Sequence, residues 1–236
     1  MCEIEFEMTD QEFEDYILEE SGRNRNEFTI PLLNDKEFIL LAIRYYGEFC
    51  DEVFYRIPSN LLDDEDVWKE IYRCDPHGNM EFYGSEMPEK LSENSRFIAR
   101  LVRYNSIIIE YISKDVINEE VIYAALNVIE ENNQDWEYAD EFIYIAYHTP
   151  TKLFENENFV YEMVCYASRY LYKDEDMAKE FFDMISKELW NEKKFVLEIL
   201  ENDDITRMFD FLSDYISDEL KQDEDVLEYF EEDEEE

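Results

Sequence analysis

Glycine and proline are scarce, at 4 and 5 of 236 residues. That removes most of the turn chemistry that tight hairpins need and favours helices joined by short polar connections. Histidine is scarcer still, with only His77 and His148, and no glycine-rich phosphate loop occurs. The four cysteines, Cys2, Cys50, Cys74 and Cys165, form no C-x-x-C pair. Their scatter argues against a zinc site or a disulfide scaffold and predicts reduced thiols. No apolar run approaches the roughly 18 residues of a membrane span, and Met1-Cys2-Glu3-Ile4-Glu5 lacks a basic-then-apolar signal pattern. The expectation is a cytoplasmic protein (host cytoplasm if phage-encoded) with no membrane contact, cofactor or metal.

Positive charge is the other shortage. Lys and Arg total 21 against 63 Asp and Glu, a formal net charge of −42. Colloidal stability of a small domain needs a net charge of only about 2 to 8, so the surplus is self-repulsion unless something offsets it. Direct binding to nucleic acid is excluded, because phosphates would be repelled. High-salt adaptation fits poorly, since such proteins are depleted in large apolar residues and this chain has 18 Tyr and 17 Phe. The same aromatic content separates it from acidic disordered chains and predicts a folded core.

One local pattern repeats. A leucine is followed by a polar, mostly acidic stretch and by an apolar residue six positions on. It runs Leu32 to Phe38 (LLNDKEF), Leu61 to Val67 (LLDDEDV), Leu91 to Phe97 (LSENSRF) and Leu153 to Phe159 (LFENENF). It continues Leu171 to Met177 (LYKDEDM), Leu189 to Phe195 (LWNEKKF) and Leu220 to Val226 (LKQDEDV), with a shorter VINEEV at Val116 to Val121. Asn or Asp can cap a helix, first-turn acids favour its positive end, and the flanking apolar pair resembles a hydrophobic staple. Periodic runs follow, as in Phe38, Ile39, Leu41, Ala42, Tyr45 and Tyr46. Helices are predicted to open near 38, 67, 97, 121, 142, 159, 177, 195, 207 and 226. Thr9 to Phe13 has capping-box spacing and predicts a separate helix.

The segments LLNDKEFILLAIRYYGE, IPSNLLDDEDVWKEIYR and MPEKLSENSRFIARLVRYNSIIIEYISKDVINEEVIYAAL resemble the repeats catalogued as domain of unknown function 4116, closely over 32–127 and loosely over 153–230. The resemblance implies an array of helix pairs and supplies no catalytic residues. Spacing departs from it, because Phe38 to Val67 is longer than Phe97 to Val121. The fold class expected is all-α, an α-solenoid-like array of short helix pairs. The organisation expected is an N-terminal helix and linker over 1–30, repeats over 31–127 and 128–230, and a disordered acidic tail over 231–236. The stretch 73–90, with Gly78, Gly84, Pro76 and Pro88, is the expected loop or junction.

Catalytic chemistry has few candidates. His77 lies close to Cys74 in a loop, but working Cys–His dyads are not local in sequence. His148 precedes Thr149-Pro150 and reads as a helix C-terminal cap. Asp174-Glu175-Asp176 and Asp223-Glu224-Asp225 lack the glycine and distal glutamate of a calcium loop. Arg96, Arg100 and Arg103 share a helix face and are expected to pair with carboxylates of neighbouring helices. Most aromatics are core, with Tyr138, Tyr172 and Tyr215 possible exceptions beside acids. The chain is not read as an enzyme.

The acid clusters are the expected partner-binding residues: Asp63, Asp64, Glu65 and Asp66; Glu119 and Glu120; Glu130 and Glu131; Asp174, Glu175 and Asp176; Asp203 and Asp204; Asp223, Glu224 and Asp225. A trio of Glu137, Asp140 and Glu141 is a further cluster. Capping explains about two acids per helix start, each worth about 0.3–1 kcal/mol, and leaves the surplus unexplained. In a repeat array such clusters would line one edge, like the charges of a nucleic acid. By composition the chain also resembles phage-encoded acidic DNA mimics. The first reading is therefore an inhibitor that occludes the basic surface of a nucleic-acid-binding protein, such as a restriction or CRISPR effector. The second is a helical-repeat adaptor for a basic protein or peptide.

Overall fold

A computed structural model describes residues 35–46, 54, 57–74, 85–131, 139–202, 205 and 208–231. Every element among them is helical, and none is long and apolar enough to cross a membrane. The expected helix near Thr9, the loop residues around His77 and the tail 232–236 lie outside the described residues.

The chain divides into two compact units, 1–105 and 106–236, whereas the sequence reading placed a division between repeats at 127/128. In the first unit, α1 (Lys36–Tyr46) packs on α3 (Glu65–Cys74), and α3 packs on α5 (Ser95–Leu101). Two short helices, α2 (Ser59–Leu62) and α4 (Glu89–Ser92), lead into α3 and α5.

The second unit has two rows of helices. One contains α6 (Glu119–Glu131), α8 (Glu157–Tyr170), α10 (Lys193–Leu200) and α12 (Glu224–Glu231). The other contains a 3-10 helix (Ser106–Tyr111), α7 (Ala139–His148), α9 (Glu175–Phe182) and α11 (Phe209–Ser213). Neighbours within the second row pack in order, as do α8, α10 and α12 within the first. Alternating membership of the rows along the chain makes this unit a helical repeat array.

The repeated sequence pattern has one local geometry. The cap residue donates its backbone N–H to the carbonyl of the leucine three positions earlier at Asp64, Asn94, Asn156, Asp174, Glu192 and Asp223, with N···O distances of 2.9–3.1 Å. Its side chain then accepts from first-turn N–H groups. Asn94 takes Phe97 N–H at 3.2 Å, Asn118 takes Val121 at 3.1 Å, and Asp174 takes Met177 at 3.0 Å. Asn156 takes Asn158 and Phe159 at 3.1 and 3.3 Å, and Asp35 takes Glu37 and Phe38 at 2.9 and 3.3 Å. Glu192 departs from the rule: no side-chain bond caps α10.

The apolar residues flanking these turns are buried in the pairs Leu61 with Val67, Leu91 with Phe97 and Leu189 with Phe195. Pro58, Pro88 and Pro150 sit three residues before Leu61, Leu91 and Leu153, and each accepts that leucine's N–H at 2.8–2.9 Å. Proline preorganises φ and lacks the N–H that the first turn would leave unpaired. Three of the five prolines therefore start short helical turns.

The aromatics form the core. In the first unit Phe54 meets Trp68 edge-on at 5.5 Å, and Trp68 donates its indole N–H to the Leu62 carbonyl at 2.6 Å. In the second, ring contacts run from Phe142 to Phe181 (5.2 Å) and from Phe181 to Phe182 (5.4 Å). They continue to Trp190 (5.8 Å) and Phe195 (5.6 Å). Each such pair adds about 0.5–1.5 kcal/mol beyond its burial.

Replacing Asn94 or Asn156 by Ala is expected to destabilise the protein by about 1 kcal/mol each, read from urea unfolding followed by helical circular dichroism. Unchanged midpoints in both variants would remove the caps from the account of stability.

Candidate functional site

Helix starts, where the acids concentrate, meet one another through specific polar contacts. In the first unit Lys36, at the opening of α1, reaches both Asp64 and Asp66 at the opening of α3 (2.8 Å each). Asp66 is also held by Lys69 at 2.9 Å, and Glu65 by Arg100 of α5 at 2.8 Å. In the second unit Asn156 donates to Glu119 at 3.0 Å, joining the starts of α6 and α8. Lys194 of α10 meets Glu157 of α8 at 2.6 Å. Lys193 clamps Asp223 and Asp225 of α12 at 2.7 and 2.6 Å, repeating the arrangement of Lys36. The starts of α6, α8, α10 and α12 thus lie side by side along one edge.

These contacts set the titration of the acids. Hydrogen bonds from Lys36 and Lys69 pull the Asp66 carboxyl down to about 2. Lys193 lowers Asp223, and the bonds to Asp64 and Asp66 raise Lys36. A different case is Glu70, which is only 8% exposed. Burial pushes its carboxyl up, but Arg73 and Arg44 outweigh that and the net shift is downward. Arg44 Nε donates to it at 2.8 Å and Arg73 Nε at 3.0 Å. Glu70 is a structural carboxylate inside the first unit.

The residues expected to bind a partner fall into three groups. Asp64, Glu65, Asp66, Glu119, Asp223 and Asp225 belong to the helix-start contacts just described. Asp63, Glu120 and Glu224 are exposed on the same starts and have no ion-pair partner among the described residues. The remaining acids lie elsewhere. Asp174 caps α9, Glu175 pairs with Lys179 at 2.6 Å, and Asp176 is exposed beside them. Only a short turn separates the end of α8 from the start of α9. Those three acids therefore lie one α8 length, about 20 Å, from the edge where α8 begins. Glu130 and Glu131 end α6 and are also at the far end of their row. Asp203 and Asp204 are outside the described residues. Within the second unit the acid set therefore occupies two edges.

Among the other candidates, Arg100 pairs with a neighbouring helix as expected. His148 ends α7 with its ring 4.6 Å from that of Tyr144. Burial lowers its pKa despite nearby Glu110, which disfavours the cation that would complement the helix dipole. Neither Cys74 nor Cys165 is in a disulfide, and burial pushes Cys74 up to about 11, far from a reactive thiolate. No group of three metal-ligating side chains occurs among the described residues. Tyr215 joins the core: its hydroxyl donates to the Lys179 carbonyl at 3.1 Å and its ring meets Phe182 and Trp190. Tyr215 also lies beside acids as expected, with Asp183 and Asp214 near its hydroxyl, and so do Tyr123 and Tyr161 on the first row and Tyr144 and Tyr147 on the second. The sequence carried the signal, in that Tyr123 sits four residues after Glu119 and Tyr161 four after Glu157, one helical turn apart.

Lys36→Met is expected to raise the Asp66 pKa from about 2 toward its ordinary 3.8, measured by carboxyl NMR titration. The folded value lies below the unfolded one. The stabilisation from Asp66 is therefore complete above about pH 4 and fades as pH falls toward 2. An Asp66 value that stays near 2 in the variant would show that the clamp is not its cause. No protein-family model, curated protein or solved structure matches the chain.

Proposed function

We propose that this protein binds and occludes the basic, nucleic-acid-binding surface of another protein, acting by charge and shape without turnover. The supporting observation is the helix-start edge of the second unit. It carries Glu119, Glu120, Glu155, Glu157, Glu192, Asp223, Glu224 and Asp225 against Lys193 and Lys194. Eight carboxylates against two lysines leave the edge negative after its own cations are counted. Such a row steers a cationic surface toward it and raises the association rate at low salt. A bacterial defence effector with a basic channel is the class of target this reading names.

Charge density supports a second reading, an adaptor for a basic protein or peptide. Neighbouring helices pack about 8–10 Å apart, so the six net charges over four helix starts amount to roughly one per 6 Å. Duplex DNA carries one per about 1.7 Å. The edge is sparser than a duplex, and further acids lie on the opposite edge.

Salt and competition separate the two. If the protein occludes a nucleic-acid site, a captured basic protein is displaced by duplex or single-stranded nucleic acid and lost steeply between low and moderate salt. An adaptor keeps its partner through both challenges. Retention in the presence of excess nucleic acid would sink the occlusion reading.

A further inference from the structure

We propose that the side of α6, α8 and α10 bearing Tyr123, Tyr161 and Tyr166 is a docking surface for an arginine-bearing segment of a basic protein. The proposal rests on the reading that the partner is cationic, which both functions above share.

The helical period of α8 creates the surface. Phe159, Val160, Met163, Val164 and Ala167 are buried, which leaves Tyr161, Glu162, Tyr166 and Arg169 on the opposite side, half-buried or exposed. Tyr123 of α6 borders the strip: its ring lies 5.8 Å from Phe159, and Glu119, Glu162 and Tyr166 are within electrostatic reach of its hydroxyl. On the other border the Tyr161 hydroxyl accepts from Asn202 Nδ2 at 2.8 Å, with Glu198 of α10 nearby. Burial first, and the carboxylates second, push Tyr123 up to about 12, so its ring stays neutral. Phenol rings on two helices, α6 and α8, thus lie beside carboxylates of three, Glu119 of α6, Glu162 of α8 and Glu198 of α10.

This combination suits a guanidinium better than an ammonium. Arginine stacks its plane on an aromatic face while its fork engages a carboxylate, and it sheds water more readily than lysine. The strip already seats one: Arg169 Cζ lies 5.6 Å from the centre of the Tyr166 ring. Glu162 is exposed and supplies charge for an incoming segment, with Glu198, exposed and 3.9 Å from Lys194, beside it. A nucleic acid is repelled by the same carboxylates, and a second copy, itself at −42, is repelled as well.

The test uses fluorescently labelled homo-arginine and homo-lysine peptides of equal length, with binding to the full chain followed by anisotropy at low salt. The arginine peptide is expected to bind about fivefold tighter or better, the effect of one to two ring contacts. A Tyr123→Leu/Tyr166→Leu variant should lose that preference and leave the lysine peptide unchanged, while Tyr123→Phe/Tyr166→Phe keeps it. The arginine peptide should also move the NMR ring signals of Tyr123 and Tyr166 in the unmodified protein, a readout that does not depend on any variant folding. Equal affinities for the two peptides, or unmoved ring signals, would overturn the docking surface and leave the cationic-partner reading standing. Failure of both peptides to bind would overturn the two together.

Discussion

Helix starts are where the physical demands on this chain collide. The first-turn N–H groups of each helix need acceptors, and the positive end of the dipole favours carboxylates. Stacking the helices side by side brings those carboxylates together. Two of them about 5 Å apart repel by about 1 kcal/mol even in water, less with salt. Lys36 and Lys193 resolve the conflict by opening one helix and clamping two aspartates of another. A lysine there opposes its own helix dipole by about 0.3–1 kcal/mol. Its position makes sense only through the helix next to it.

The aromatic core is the counterpart of that edge. Exposed ion pairs are each worth about 0–1 kcal/mol, so they set register more than they supply stability. Stability comes from rings such as Phe142, Phe181, Phe182, Trp190 and Phe195, all buried and in mutual contact. A core of this kind tolerates a repelling surface that a smaller one would not. Glu70 is where the two regimes touch, as a buried carboxylate held by two arginines whose loss would leave a charge uncompensated.

The acids divide by what they touch. Some, such as Asp64, Asp66, Asp223 and Asp225, hold the array together and are partly neutralised within it. Others, such as Glu120, Glu162 and Glu224, face solvent and make no ion pair among the described residues. In the function proposed above, these carboxylates would steer a cationic partner, and the tyrosines of α6 and α8 would select among such partners by shape.

Much of this was legible in the residues alone. The all-helical class followed from the shortage of glycine and proline and from apolar periodicity. Helix openings followed from the leucine, cap and apolar triplets: each expected opening from 38 to 226 has a helix start within about three residues, in most cases earlier because the cap precedes the first core residue, whereas the short α2 and α4 were not expected. The proline turns before α3, α5 and α8 were not read, because proline entered the sequence reading as scarce turn chemistry and as part of the 73–90 loop, and a turn that it starts shows only in the N–H groups its carbonyl accepts. What a lysine at a helix opening was for, which acids were already neutralised, and which tyrosines lay at the surface were settled only by tertiary structure. Local sequence specifies what a helix start needs, but which helix start lies beside it depends on how distant parts of the chain pack, and no short-range pattern encodes that.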